Sequence, residues 1–185
     1  MSEIPSMQSA ADRLMLTLAR ALRPHAPTVT SDISERGEDI RILTLQNPHL
    51  PRWGLQFICP AEPDGQEELH GSLWFGAVEI TGYLSAEEAE STIRAVLDGE
   101  ITAILHYRNE EALADHRPSA RRWVFLTTPE DEDTERLEAL RARLSRPVTL
   151  MERIRGTDIG IYEITSWQSS EIIRHLPLKK ERKHT

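Results

Sequence analysis

The fold is decided by residues 73–107, LWFGAVEITGYLSAEEAESTIRAVLDGEITAILHY, which predict strand segments, a capped helix and a further strand. Ser85 can accept hydrogen bonds from the free amides that begin the helix, and Glu88, three residues on, can reach back to it. Gly99 suits the left-handed position just past a helix end. Residues 101–107 alternate as a strand does. The apolar residues of the helix fall on one stripe: Ala89, Ile93, Val96 and Leu97.

Upstream of this stretch, the pattern predicts one helix followed by three strands. The apolar spacing favours a helix over residues 6–23, ended by Pro24. Two β-rich runs around a polar turn predict a hairpin. A third alternating run precedes Pro60, and residues 61–68 predict a loop. The three strands are expected at residues 28–33, 39–45 and 53–59.

Downstream, strands and helices alternate without an internal repeat. Residues 109–120 are polar and irregular, and Pro129 is expected to open an acidic helix that runs to Leu144. Residues 148–154 and 159–164 predict a second hairpin. A short final helix is expected over residues 169–176, and a strand over residues 122–127.

This order of elements is typical of an α+β fold. We expect a single domain over residues 6–176, with an antiparallel or mixed sheet and helices mostly on one face. A basic, disordered tail is expected over residues 177–185.

Composition points to a soluble, cytoplasmic protein. The chain has 185 residues and one cysteine, Cys59, so it can form neither an internal disulfide nor a cysteine-based zinc site. The start of the chain lacks the pattern of a signal peptide, and no apolar run approaches the ~20 residues that span a membrane. The net charge of −8 opposes specific binding of nucleic acid, because that affinity comes mainly from neutralising phosphates.

The densest negative patch lies at the start of the second long helix. Its acids are Glu130, Asp131, Glu132, Asp133 and Glu135. Acids in a first helical turn are stabilised by the helix dipole, which is the simpler explanation. Five acids exceed that need, so a protein-binding role is the alternative. The spacing does not match a calcium loop.

Catalytic signatures are absent from the sequence. No histidine has a partner at metal spacing, no glycine-rich nucleotide loop occurs and no serine-nucleophile motif is found, so we expect no metal or cofactor. Cys59 lacks the helix N-terminus that would lower the pKa of its thiol. His106 is the most interesting histidine, and a hydrogen-bonded sheet position is favoured over a catalytic one.

Part of the chain resembles the immunity proteins of bacterial toxin systems. The resemblance is carried by residues 76–83, 85–90, 97–100 and 101–109, about a third of the chain. It implies a small α+β inhibitor that binds and blocks a toxin in the cytosol and has no active site of its own. It transfers no functional residue.

Three hypotheses follow. The first is a non-enzymatic cytoplasmic protein that blocks a cognate toxin by occlusion through the acids above. The second is an enzyme whose site is assembled from scattered residues, namely His106, Tyr107, Arg108 and Glu79. The third is a structural or assembly protein that forms a homodimer through an exposed sheet edge.

Overall fold

The computed structural model describes residues 9–61, 70–125, 132–149, 152, 155 and 159–177, without the side chains of residues 82–84, 86, 123 and 125. Its contacts divide the chain into two compact units, Met1–Asp98 and Gly99–Thr185. Helices occur together with antiparallel sheets, so the predicted α+β class is confirmed. The expectation of one sheet is not met, because the strands form two sheets.

The first unit contains a five-stranded antiparallel meander in the order β1-β2-β3-β4-β5. Its strands are β1 (Thr28–Ile33), β2 (Asp39–Leu45), β3 (Leu55–Pro60), β4 (Gly71–Phe75) and β5 (Val78–Leu84). Its helices are α1 (Ala10–Ala21) and α2 (Ala86–Asp98), and a short 3₁₀ turn, Arg23–His25, follows α1. The predicted hairpin of β1 and β2 is confirmed to the residue.

The second unit contains a four-stranded antiparallel sheet in the order β7-β6-β8-β9. Its strands are β6 (Ile101–Tyr107), β7 (Ala120–Phe125), β8 (Gly160–Thr165) and β9 (Ser170–His175). Its helices are α3 (Glu110–Ala114) and α4 (Glu132–Leu144). Residues 109–120 were expected to be irregular, but Asn109 caps α3 there by accepting from the Ala112 amide at 2.8 Å.

Each sheet buries an apolar face. In the first unit the buried residues alternate along β2, β3 and β4, and α1 contacts β2. In the second unit Leu137, Leu140 and Leu144 of α4 form one cluster with sheet residues. Burial of a side chain of this size contributes about 1.5–3 kcal/mol. The sheet residues are Leu43, Leu45, Leu55, Phe57, Leu73 and Phe75 in the first unit, and Ile104, Tyr162 and Ile164 in the second.

The predicted cap of α2 is confirmed. The Ser85 amide donates to Glu88 Oε2 at 2.9 Å, and the Glu88 amide donates back to Ser85 Oγ at 3.4 Å. The bonds from the backbone and side chain of Ser85 lower the pKa of Glu88. Gly99 follows the helix with a φ of +82°, in the left-handed region that favours glycine.

The predicted final helix over residues 169–176 is wrong. Those residues form β9, which pairs with β8 from Thr165 opposite Ser170 to Gly160 opposite His175. The tight connection closes with a bond from the Ser166 amide to the Ser169 oxygen at 2.9 Å. A ladder of six residue pairs therefore outweighs a weak helical pattern.

The predicted hairpin of residues 148–154 and 159–164 is also wrong for those of its residues that the structure describes. β8 forms as predicted, but its partners are β6 and β9. Val148 and Thr149 lie in no strand, and Glu152 is helical; residues 150, 151, 153 and 154 lie outside the described residues. Most of the predicted loop at 61–68 and of the tail at 177–185 also lies outside them, so the domain boundaries stay predictions.

Candidate functional site

The acidic segment comprises Glu130, Asp131, Glu132, Asp133 and Glu135. The first two lie outside the described residues, and the other three occupy the first turn of α4. The leucines of this helix are buried, so the opposite side of the helix carries the exposed Glu132 and Glu135.

Arg136 partly neutralises this segment. Its guanidinium contacts Glu132, one turn earlier, and its Nη1 lies 3.3 Å from Asp133 Oδ1. Within the part of the chain that the structure describes, the Glu135 carboxylate makes no hydrogen bond or ion pair. The three carboxylates and one guanidinium therefore present two net negative charges, with Glu135 the most available to a partner.

His106 is held inside a hydrogen-bonded arrangement. Its Nε2 lies 3.1 Å from the Ile159 carbonyl oxygen, which can only accept, so Nε2 carries the proton. Ser119 Oγ lies 2.8 Å from Nδ1 and 3.1 Å from the His106 carbonyl oxygen, so its single proton has two acceptors within reach. The ring packs on Tyr162 with centroids 4.7 Å apart. The sheet histidine expected from the sequence is found.

Tyr107, a member of the scattered-residue hypothesis, does not share a face of the strand with His106. Tyr107 follows it on the strand and so points to the opposite face, where its hydroxyl donates to Glu163 Oε2 at 2.8 Å. Arg108 is exposed, and Glu79 is an exposed residue of β5 in the first unit. His106 and Tyr107 therefore do not act on a common reacting atom.

A buried polar network lies on the Tyr107 face and was missed by sequence reasoning. Glu163 is 2% exposed and Tyr107 is 1% exposed. Ser170 Oγ lies 3.5 Å from Glu163 Oε1 and 2.8 Å from Thr165 Oγ1. The one available signal was a glutamate inside the apolar run of β8, since a buried charge needs polar partners.

His175 is a second buried polar residue that the sequence did not single out. It is 1% exposed, and its Nδ1 donates to the Leu144 carbonyl at 3.2 Å. Its Nε2 has no hydrogen-bond partner among the described residues and lies 3.7 Å from Glu152 Oε2. Hydrogen bonds from Thr149, and secondarily the charges of His175 and Arg146, lower the pKa of Glu152. The pair connects the end of β9 to the helical turn at Glu152.

Cys59 is unsuited to act as a nucleophile. The side chain is buried in β3, and burial raises the pKa of its thiol to about 11. The thiolate, which is the reactive form, is therefore scarce at neutral pH.

A basic cluster, Arg117, Arg121 and Arg122, lies at the start of β7 and just before it, and one of its arginines is in an ion pair. Arg117 Nη2 lies 2.6 Å from Asp115 Oδ2, as expected for a loop arginine beside acids, whereas Arg121 and Arg122 are exposed. Lys179, Lys180, Arg182 and Lys183 of the predicted tail lie outside the described residues.

In the described part of the chain, no group of three or more histidine, cysteine, aspartate or glutamate side chains could hold a metal ion. No helix in the same part is long and apolar enough to cross a membrane.

No protein-family model, curated protein or solved structure matches this chain. Its function therefore has to be argued from its own residues.

Proposed function

We propose that this chain is a non-enzymatic binding protein of the immunity type, which blocks a cognate bacterial toxin by occlusion in the cytoplasm. The observation that supports the proposal is the set of carboxylates on the first turn of α4, held toward solvent by buried leucines on the other side of the helix.

The acidic segment meets a cationic cleft of the toxin. Arg136 holds Glu132 and Asp133 in one arrangement, which reduces the side-chain entropy lost when a partner binds. Glu135 supplies an exposed carboxylate beside them. Charges of this kind mainly accelerate association, by factors of about 10–1,000 at low ionic strength.

The test neutralises the acidic segment and measures binding to the product of the neighbouring gene. The variant is Glu130→Gln, Asp131→Asn, Glu132→Gln, Asp133→Asn and Glu135→Gln together. We expect the association rate to fall at least about tenfold at low salt and the difference to shrink as salt rises. Melting temperatures of both proteins check that the fold survives the loss of favourable helix-dipole charges.

A matched control removes the same kind of charge elsewhere. Five exposed glutamates outside α4 match the five acids in number, and their replacement by glutamine should leave the association rate closer to that of the wild type: Glu35, Glu79, Glu87, Glu100 and Glu111. Equal falls in association rate in the two variants would mean that the acidic segment acts only through the net charge of the protein. Undiminished binding by the neutralised variant would remove the mechanism, and failure to co-purify any neighbouring toxin would remove the role.

One contact favours a second candidate, an enzyme. The exposed Ser119 Oγ lies 2.8 Å from His106 Nδ1 while the Ile159 carbonyl orients the ring, which is the arrangement of a nucleophile, a base and an orienting group. The test is labelling with a fluorophosphonate, in which Ser119 Oγ bonds to phosphorus, fluoride leaves and His106 takes the proton. Labelling that disappears in Ser119→Ala and His106→Gln would support this candidate; unlabelled wild-type protein would exclude a reactive serine.

A further inference from the structure

Among the residues that the structure describes, no strand pairs with the outer side of β1, the outer strand of the five-stranded sheet. β1 is the first strand in the order, and all six of its residues are exposed. Two are large and apolar: Val29 is 44% exposed and Ile33 is 66% exposed. An exposed edge strand presents backbone groups that can pair with another strand.

The turn between β1 and β2 fixes which backbone groups those are. The Ser34 amide donates to the Glu38 oxygen and the Gly37 amide to the Ser34 oxygen, both at 2.8 Å, with Gly37 at a φ of +81°. Hydrogen-bonded pairs alternate along an antiparallel ladder, so Asp32, Thr30 and Thr28 exchange bonds with β2. The amides and carbonyls of Val29, Ser31 and Ile33 therefore point away from the sheet.

A contact at the end of the strand agrees with the outward direction of the Ile33 amide. The Ile33 amide donates to Asp32 Oδ1 at 2.8 Å, as expected for an amide that has no strand partner on its own side. That carboxylate is exposed and can release the amide when another strand arrives.

The edge is complementary to itself. When two copies pair antiparallel about Ser31, Ser31 faces Ser31 of the second copy, and Val29 of each copy faces Ile33 of the other. Thr30 then faces Asp32, so no like charges are directly opposed. In an antiparallel ladder every second residue pair exchanges hydrogen bonds. The outward amides and carbonyls belong to residues 29, 31 and 33, so the pairs 29–33, 31–31 and 33–29 would be the hydrogen-bonded ones.

The other edges of the two sheets are less suited to pairing. β7 carries Arg121 and Arg122, and β9 carries Glu171 and Arg174. The ladder between β4 and β5 has register shifts. Charged side chains and irregular register are the usual protections of an edge strand, whereas β1 is regular and carries one charge, Asp32.

We propose that β1 is a self-association edge, through which two copies of this chain join their sheets into a continuous ten-stranded sheet centred on Ser31. A pairing of five residues from each copy is small beside the ~1,200–2,000 Å² that stable interfaces bury. The dimer is therefore weak, with a dissociation constant in the micromolar to millimolar range. The inference is independent of the proposed toxin binding, since it concerns other residues and needs no partner protein.

The first experiment is disulfide trapping of the full chain under mild oxidation. Ser31→Cys places two cysteines at a hydrogen-bonded pair with Cα atoms about 5.5 Å apart, within the range of about 4.4–6.8 Å that a disulfide spans. Val29→Cys is the matched control, because its two copies lie about 14 Å apart, four residues along the strand. The native Cys59 is buried and does not interfere. We expect a covalent dimer from Ser31→Cys at least about tenfold faster than from Val29→Cys.

The second experiment is sedimentation velocity over a concentration series up to the millimolar range. The wild type should shift from monomer to dimer, and Ser31→Lys, which opposes two ammonium groups at the centre, should raise the dissociation constant at least about tenfold. Ser31 lies opposite Arg41 of β2, so the new ammonium group also faces a like charge within the sheet. We therefore expect a small fall in the melting temperature of this variant, and the dissociation constant is measured well below that temperature. A wild type that stays monomeric throughout the series, an unaltered dimer in Ser31→Lys, or faster trapping at Val29→Cys than at Ser31→Cys would each overturn the proposal.

Discussion

Removing the Tyr107 hydroxyl tests whether the buried network of the second unit stabilises the fold. In Tyr107→Phe the ring is retained and one bond is lost, the 2.8 Å contact with Glu163 Oε2. Both side chains are almost fully buried, so water cannot readily replace the hydroxyl. The carboxylate keeps a 3.5 Å contact from Ser170, which is at the outer limit of a hydrogen bond.

The expected cost follows from the chemistry of this bond. A hydrogen bond to a charged group contributes about 1.5–3 kcal/mol, roughly twice a neutral one. For a chain of this length that loss corresponds to a fall of about 3–12 °C in melting temperature. The aromatic ring still fills its space, so no cavity term adds to the cost.

The assay is urea unfolding followed by circular dichroism, together with amide hydrogen exchange in β6 and β8. Glu163→Gln supplies the control, because an amide oxygen still accepts the bond without a charge. In that background, Tyr107→Phe should cost only about 0.5–1.5 kcal/mol. A loss below about 0.5 kcal/mol in the wild-type background, the size of an ordinary surface substitution, would refute the reasoning.

Three further outcomes are expected. Gly160→Ala should unfold the second unit or lower the free energy of unfolding by more than about 3 kcal/mol, because the new Cβ would lie 2.5 Å from a backbone oxygen at a φ of +155°. Gly37→Ala is the control: its Cβ meets open space, so the loss should be about 1 kcal/mol. Equal shifts of the melting temperature in the two variants would contradict this prediction. Cys59 should resist a thiol reagent in the folded protein at neutral pH and react fully in denaturant; fast reaction of the native protein would contradict its burial and its raised pKa. The hydrogen bond from Arg41 lowers the pKa of Asp12 below its ordinary value of 3.8, so the stability gained from this pair is fully present above that pH and is lost as the pH falls through the lower folded value. Arg41→Met should therefore flatten the acid limb of a stability–pH curve measured by urea unfolding, and an unchanged slope would contradict the assignment.

The elements that the sequence predicted correctly are those whose determinants are local. The hairpin of β1 and β2 is set by a short turn in which Gly37 takes a positive φ, and α2 is set by Ser85, Glu88 and Gly99. Each of these signals lies within a few residues of the structure that it produces.

The failures are those in which a distant partner decides. Residues 169–176 carry a pattern compatible with a helix, yet they form β9 because a full ladder with β8 is available to them. Tyr107 and Glu163 are 56 residues apart, and nothing near either residue indicates the other. The acidic segment was found because it is a local run, but its neutralisation by Arg136 depends on the helix that brings them together.

Salt separates the two kinds of association proposed for this chain. Toxin binding through the acidic segment depends on charges at an exposed surface, which are screened over about 8 Å at physiological ionic strength. Pairing of β1 depends on backbone hydrogen bonds and on contacts between Val29 and Ile33, which salt screens little. We therefore expect toxin binding to weaken as salt rises and self-association to stay unchanged. Self-association that also weakened with salt would point to charged residues instead of the β1 edge.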